Sequence, residues 1–418
     1  MERAPAERVA VTTAGLRGAQ WDRSAMPSDV RISIETLKTS DGAAITGFLM
    51  ARGGETSVVC AMHPREMNPA HYLAPAVLSA GAAFWVQGSR TPNVDLRLEH
   101  ETALLDLAAG QTFLRSQGFQ KTVLMGTSGG GPLAAFYTQQ AARAPEARIA
   151  RTPAGRPVKL AETALPSPDG LILVSSHLGQ GPLLERCLDP SLAVETDPFG
   201  TIADLDPFSE ANGFRSPPTS SRYQPDFVAR YREAQGKRVE RIDAWAHALL
   251  DRKRDARKRL ADGDVAAAGE ASWSPVMEIW RTDADLRCWD LNLEPSARAY
   301  GSLWGGDPMK SNYGSVGFGR LCTPESWLST WSARASNATI AKCGPEVEQP
   351  VCMIRYLGDN SVFESEAQAL FAALRTSDKT RHDLPGNHHG RAIARGEPEG
   401  RPLAAQVCVD WLGEHGFL

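Results

Sequence analysis

Gly126-Thr127-Ser128-Gly129-Gly130, directly after the apolar run Val123-Leu124-Met125, is the segment that most constrains this chain. It has the form G-x-S-x-G and predicts a strand that turns sharply into a helix. A residue at the tip of such a turn holds a strained backbone conformation. Only small neighbours let the strand and helix pass that closely, which accounts for glycine at both flanks and for the added slack of Gly129 and Gly131. The turn lifts the Ser128 hydroxyl clear of the sheet, at a helix N-terminus where the dipole and free N–H groups favour developing negative charge. A glycine-rich turn without chemistry has the same local pattern, so the reading depends on partners elsewhere in the chain.

A serine nucleophile needs a histidine to take its proton and a carboxylate to orient that histidine. Far downstream, Val351-Cys352-Met353-Ile354-Arg355-Tyr356-Leu357 reads as a buried strand ending in Gly358-Asp359-Asn360. A helix-length stretch from Val362 to Leu374 and a short strand around His382-Asp383-Leu384 lead to Pro385-Gly386-Asn387-His388-His389-Gly390. Asp359 thus falls at the C-terminal end of a strand, and the two histidines lie 29 and 30 residues later, in the loop after the next strand. Catalytic groups of an open parallel sheet gather at the carboxyl ends of its strands.

In these motifs and their order the chain resembles the α/β-hydrolase fold family, over roughly residues 31–176 and 350–418. The resemblance implies an α/β fold, a mostly parallel sheet flanked by helices. It implies Ser128 as nucleophile, Asp359 as acid and one of His388 and His389 as base. The Asn387-His388 context favours His388, with His389 as the alternative. An oxyanion hole is expected from the Gly129 N–H and from the turn after an earlier strand. Ser57 to Met62 reads as that strand and is followed by His63-Pro64-Arg65-Glu66. Many family members carry His-Gly there. Pro64 fixes the turn but has no N–H, which leaves Arg65 as the backbone donor. Arg65 has two other readings, a guanidinium facing an anionic substrate or an ordinary surface arginine. His63 is a substrate-binding candidate. His177 directly follows a strand and should stand near the pocket mouth, to contact substrate or to make a structural hydrogen bond.

Periodicity supplies the remaining elements. Arg31 to Leu37 alternates like a half-buried strand, and Ser40-Asp41-Gly42 turns it into a second, Ala44 to Leu49. A helix near Tyr72 to Ala80, a strand from Ala82 to Gln87, a helix from Glu101 to Gln117 and the strand Leu171 to Val174 complete an alternation that implies a parallel sheet. The first 30 residues read as a polar arm, with acids and no apolar stretch to serve as a signal peptide.

At 418 residues the chain exceeds a single core, and residues 177–349 break the alternation. The resemblance makes that segment a large, mainly helical cap, or lid, that encloses an aromatic-lined pocket. It holds seven of the chain's ten tryptophans, most of them expected as cap core. Gln224 to Leu260 reads as one long helix. Its Arg252, Lys253, Arg254, Arg257, Lys258 and Arg259 are interspersed with acids, as on a solvated face.

A net charge of −4 favours neither nucleic acid nor an anionic membrane surface, and no apolar run approaches the length of a membrane span. Seven cysteines, scattered without C-x-x-C spacing, suit reduced thiols in a cytoplasm. No His/Cys cluster has metal-ligand spacing, so neither metal nor other cofactor is expected. Gly129-Gly130-Gly131 lacks the Lys-Ser/Thr of a phosphate loop. The expected partner is a small-molecule substrate, and homo-oligomer formation is left open.

The expected activity is hydrolysis of a small or medium ester, thioester or amide through an acyl-enzyme. A carbon–carbon hydrolase acting on a diketone or ring-cleavage product would use the same groups. An inactive binding scaffold of this fold would lack a triad member, and none is lacking.

Overall fold

The computed structural model describes residues 23–314 and 317–418, so most of the polar arm lies outside the described residues. Eight strands form the central sheet: β1 (Arg31–Lys38), β2 (Ala44–Ala51), β3 (Ser57–Met62), β4 (Ala83–Gln87), β5 (Lys121–Thr127), β6 (Gly170–Val174), β7 (Val351–Tyr356) and β8 (Lys379–Leu384). Their spatial order is β1-β2-β4-β3-β5-β6-β7-β8. The pairings of β2 with β1 and with β4 are antiparallel, and from β4 to β8 every pairing is parallel.

Strands β3, β4, β6 and β7 are buried at every position. Parallel strands covered on both faces read as continuous apolar runs rather than as alternation, which is why Val58-Val59-Cys60-Ala61 and Leu171-Ile172-Leu173-Val174 stood out in the sequence. The layers are built by α1 (Ala74–Ala80), α2 (His100–Ser116), α3 (Gly130–Ala142), α6 (Glu364–Ala373) and α7 (Gly400–Glu414), between which lie α4 (Gln180–Cys187) and α5 (Pro225–Ala261). One apolar cluster packs α2 and α3 on the sheet, and a second packs α1 and α7 on the opposite face. β1 is an edge strand, and its Ile34 is 68% exposed rather than half-buried.

Between β6 and β7 the 37 residues of α5 make the one long helix among the described residues. Around it run short helical turns, one small hairpin (Leu192–Val194 with Asp197–Thr201) and a short antiparallel pairing of Met277–Glu278 with Leu321–Cys322. Trp327, Trp331, Ile242 and Met277 form an apolar centre, and Trp289 packs with Tyr231 and Phe227 in another. Trp273, by contrast, is 38% exposed. The basic end of α5 is laced to acids: Arg252 and Arg259 pair with Glu270, Arg254 with Asp251 and Lys258 with Asp255. The segment is also tied to the start of α2. There Ser329 Oγ donates to the buried Glu101 carboxylate at 2.5 Å, Asn337 Nδ2 donates to the same group at 2.9 Å, and Thr330 Oγ1 donates to the Leu98 carbonyl.

Candidate active site

The turn from β5 into α3 places Ser128 at φ +54°, a left-handed conformation that a side chain adopts only when its surroundings impose it. Those surroundings are tight. A β-carbon on Gly126 would stand 2.5 Å from the Gly130 carbonyl and the Gly131 Cα, and one on Gly130 would stand 2.5 Å from the Met62 carbonyl oxygen. The Ser128 N–H donates to the Val174 carbonyl at 2.9 Å, tying the turn to β6.

Four strand ends converge here. Asp359 follows β7, and its Oδ1 accepts the N–H groups of Ser361 (2.7 Å) and Val362 (3.0 Å). His388 follows β8 on a loop braced by Asn387, whose Oδ1 accepts the N–H groups of His389 (2.9 Å) and Arg391 (3.2 Å). His388 Nδ1 lies 2.9 and 2.8 Å from the two Asp359 carboxylate oxygens, and its Nε2 lies 3.1 Å from Ser128 Oγ. Asp359 is 2% and His388 3% exposed, so this chain of contacts is screened from water. His389 is partly exposed, meets the His388 ring edge-on at 4.9 Å and is anchored through its carbonyl to Arg401. Gly129 is the residue just before α3, within reach of Ser128.

His177, after β6, stands closer to Ser128 than a place at the pocket mouth would put it. Its Nε2 is 3.2 Å from Ser128 Oγ, so the hydroxyl lies between two imidazoles. Burial, followed by the charges of His388 and His63, holds His177 well below the usual histidine pKa. Its Nδ1 has no hydrogen bond of ordinary geometry, the Gly179 backbone approaching only loosely. The sequence carried one signal for this residue, its place just past a strand end. It carried none for His100, whose buried Nε2 lies 2.8 Å from Gln180 Oε1.

The turn after β3 differs from expectation. The Arg65 N–H, anticipated as an oxyanion donor, is directed at its neighbour's ring, His63 Nδ1, at 3.2 Å. The Arg65 guanidinium does not lie on an open surface. It forms a two-pronged pair with Asp95 (2.6 and 2.9 Å) and lies over the Trp331 ring. A proline in the turn leaves the following backbone groups to be satisfied locally, and the nearest acceptor is the imidazole. His63 is partly exposed, yet its surroundings are close enough that burial pulls its pKa down to about 4.

A cavity of about 310 Å³ reaches His177 between α4, α5 and the start of α6. Its wall is apolar at Leu178, Leu183, Val228 and Leu293, and charged at Arg186, Arg232, Arg287, Glu294 and Glu366. Among the described residues no group of three or more His, Cys, Asp or Glu side chains is placed to hold a metal ion. Likewise no described helix is long and apolar enough to cross a membrane.

No protein-family model and no curated protein matches the sequence. Solved structures are similar in outline only. A complex of DcsB with its substrate analogue is 13% identical, with a TM-score of 0.49 over 92% of this chain and 99% of that one. The esterase Pf2001 of Pyrococcus furiosus is 10% identical, with a TM-score of 0.44 over 92% and 90%. The esterase domain of a Rhodothermus marinus protein is 10% identical, with a TM-score of 0.42 over 92% and 98%. The assignment therefore rests on the molecule itself: by its strand order, its antiparallel start followed by parallel strands, and the strained Ser128 turn between β5 and α3, the chain has the α/β-hydrolase fold.

Proposed function

We propose that the protein is a serine hydrolase that cleaves a small or medium ester, thioester or amide through an acyl-enzyme. The carrying observation is the unbroken line from Asp359 through His388 to Ser128 Oγ. In this reading His388 Nε2 takes the Ser128 proton as Oγ attacks the carbonyl carbon. Asp359 holds the proton of the neutral ring on Nδ1 and stabilises the imidazolium that forms. The Gly129 N–H, at the start of α3, faces the oxyanion. His388 then returns its proton to the leaving group, and a water activated by the same ring releases the acid. His177, kept neutral by burial, positions the Ser128 hydroxyl from its other side. His389 acts as a brace for the loop rather than as the base.

Residues 177–349 serve as a cap over this cleft, and the cavity behind His177 receives part of the substrate. The seven buried, unpaired cysteines suit a reducing cytoplasm. No observation favours carbon–carbon hydrolysis over acyl transfer to water, and an inactive scaffold has no missing group to explain.

The test is labelling with a fluorophosphonate, mapped by intact mass and peptide sequencing, on wild type and Ser128→Ala. A single adduct at Ser128 that is absent from the variant is expected. A folded wild type that stays unlabelled by this reagent and by a small uncharged sulfonyl fluoride refutes the reading.

A further inference from the structure

The cleft holds one more imidazole than the proposed mechanism uses, and its protonation is dictated by its neighbours. His63 Nδ1 faces two backbone donors, the N–H of Arg65 at 3.2 Å and that of Glu66 at 3.1 Å. A ring nitrogen that accepts from N–H groups carries no proton, so the neutral ring must hold its hydrogen on Nε2. Protonating Nδ1 would set three donors against one another. Burial opposes it as well, and a pKa near 4 keeps the ring neutral from pH 5 upward. His63 Nε2–H is therefore a donor, its tautomer fixed by the two contacts at Nδ1.

Nε2 itself lies beside the nucleophile's neighbour. A β-carbon built on Gly129 would lie 3.1 Å from His63 Nε2 and 3.3 Å from Gln180 Nε2. Gly129 is the residue whose N–H faces the oxyanion in the mechanism above. Meanwhile the three residues after His63 have no free backbone hydrogen to contribute. Pro64 has none, and those of Arg65 and Glu66 are both occupied by the His63 ring. The Arg65–Asp95 pair, packed on Trp331, holds that turn in place.

We propose that His63 is a catalytic residue whose Nε2–H is the second oxyanion donor, an imidazole standing where a backbone N–H would otherwise serve. This rests on the serine-hydrolase reading. His63 lends a hydrogen bond and keeps its proton, so it is neither acid nor base. The donor acts on charge that exists only in the tetrahedral state, and its loss lowers the chemical rate without weakening initial binding.

Two substitutions separate this from a structural role. In His63→Asn the side-chain oxygen can replace Nδ1 as acceptor for the turn, but nothing reaches the Nε2 position. In His63→Gln the terminal amide reaches the Nε2 position while the Nδ1 acceptor is lost. The readout is phosphonylation by an alkyl fluorophosphonate, split into its maximal rate and its half-saturating concentration, together with phenylboronic acid affinity and Tm.

For His63→Asn the expected result is a maximal rate lower by about 10²–10³-fold and boronate affinity lower in parallel, with half-saturation and Tm near wild type. His63→Gln should recover much of the rate at a lower Tm. A His63→Asn rate within about threefold of wild type, or a rise in half-saturation alone, overturns the proposal. If His63→Asn fails to fold, a His63→Gln protein as slow as a donorless site overturns it instead. A wild type that never labels refutes the serine-hydrolase reading itself, and the role of His63 with it. A labelled wild type with indifferent His63 variants refutes only the present proposal.

Discussion

Substituting Asp359 by asparagine isolates the orientation of His388 from everything else the carboxylate does. Both Asp359 oxygens lie near His388 Nδ1, but Oδ1 already accepts the backbone N–H groups of Ser361 and Val362 at 2.7 and 3.0 Å, while Oδ2 is the nearer to Nδ1, at 2.8 against 2.9 Å. In Asp359→Asn the two backbone donors keep the amide oxygen at the Oδ1 position, which places the amide NH2 opposite Nδ1. Two donors cannot face each other, so the ring proton moves to Nε2. There it points at Ser128 Oγ, 3.1 Å away, and the ring can no longer accept the serine proton. Shape and volume are unchanged, and the fold should lose only about 1–2 kcal/mol for a weakened buried hydrogen bond. A wrong tautomer of this kind costs about 10⁴ in rate in a serine hydrolase, equivalent to about 5.5 kcal/mol of barrier. The assay is the second-order rate of fluorophosphonate labelling, followed by intact mass, beside calorimetric Tm. A labelling rate within about tenfold of wild type at pH 7 would refute the tautomer argument.

His388→Ala should abolish labelling while His389→Ala keeps it within about tenfold of wild type; equal losses would undo the assignment of the base. Gly126→Ala drives a β-carbon into the backbone of Gly130 and Gly131 at 2.5 Å. It should cost at least about 1–3 kcal/mol in urea unfolding and slow labelling, and a wild-type midpoint would show the turn to be slack. Arg281→Met strands the fully buried Asp189 carboxylate, paired to it at 2.5 Å, and should cost about 3–5 kcal/mol in the same assay. An unchanged midpoint would mean that Asp189 is readily protonated or resolvated. His71 and His100 are buried, and burial lowers both to a pKa of about 4 from 6.5. Between those values the unfolded chain binds more protons than the native one, so stability is full above pH 6.5 and falls on acidification toward pH 4. Each residue contributes up to about 3 kcal/mol, and a Tm flat from pH 7 to pH 4.5 would contradict the burial of these rings.

What the amino-acid order determines here is local and periodic. Buried parallel strands read as apolar runs because both of their faces are covered. The Ser128 turn reads as glycines because only they fit between strand and helix at that approach. The long helix α5 is legible from its length of polar and apolar spacing. These are properties of neighbours in the chain, and they place Ser128, Asp359, His63, His177 and the 388–389 pair at strand ends. What only the tertiary structure decides is how those ends face one another. Ser128 meets His388 across 260 residues and His177 across 49, and the loop conformations that choose His388 over its neighbour depend on Asn387, Arg391 and Arg401 together. The fate of the Arg65 N–H illustrates the same limit. Proline in the turn was legible, but the acceptor that captures the next two N–H groups is a ring whose orientation is set by the packing around it. Hydrogen-bond direction, and with it the tautomer of each imidazole, is a property of assembled neighbours rather than of sequence spacing.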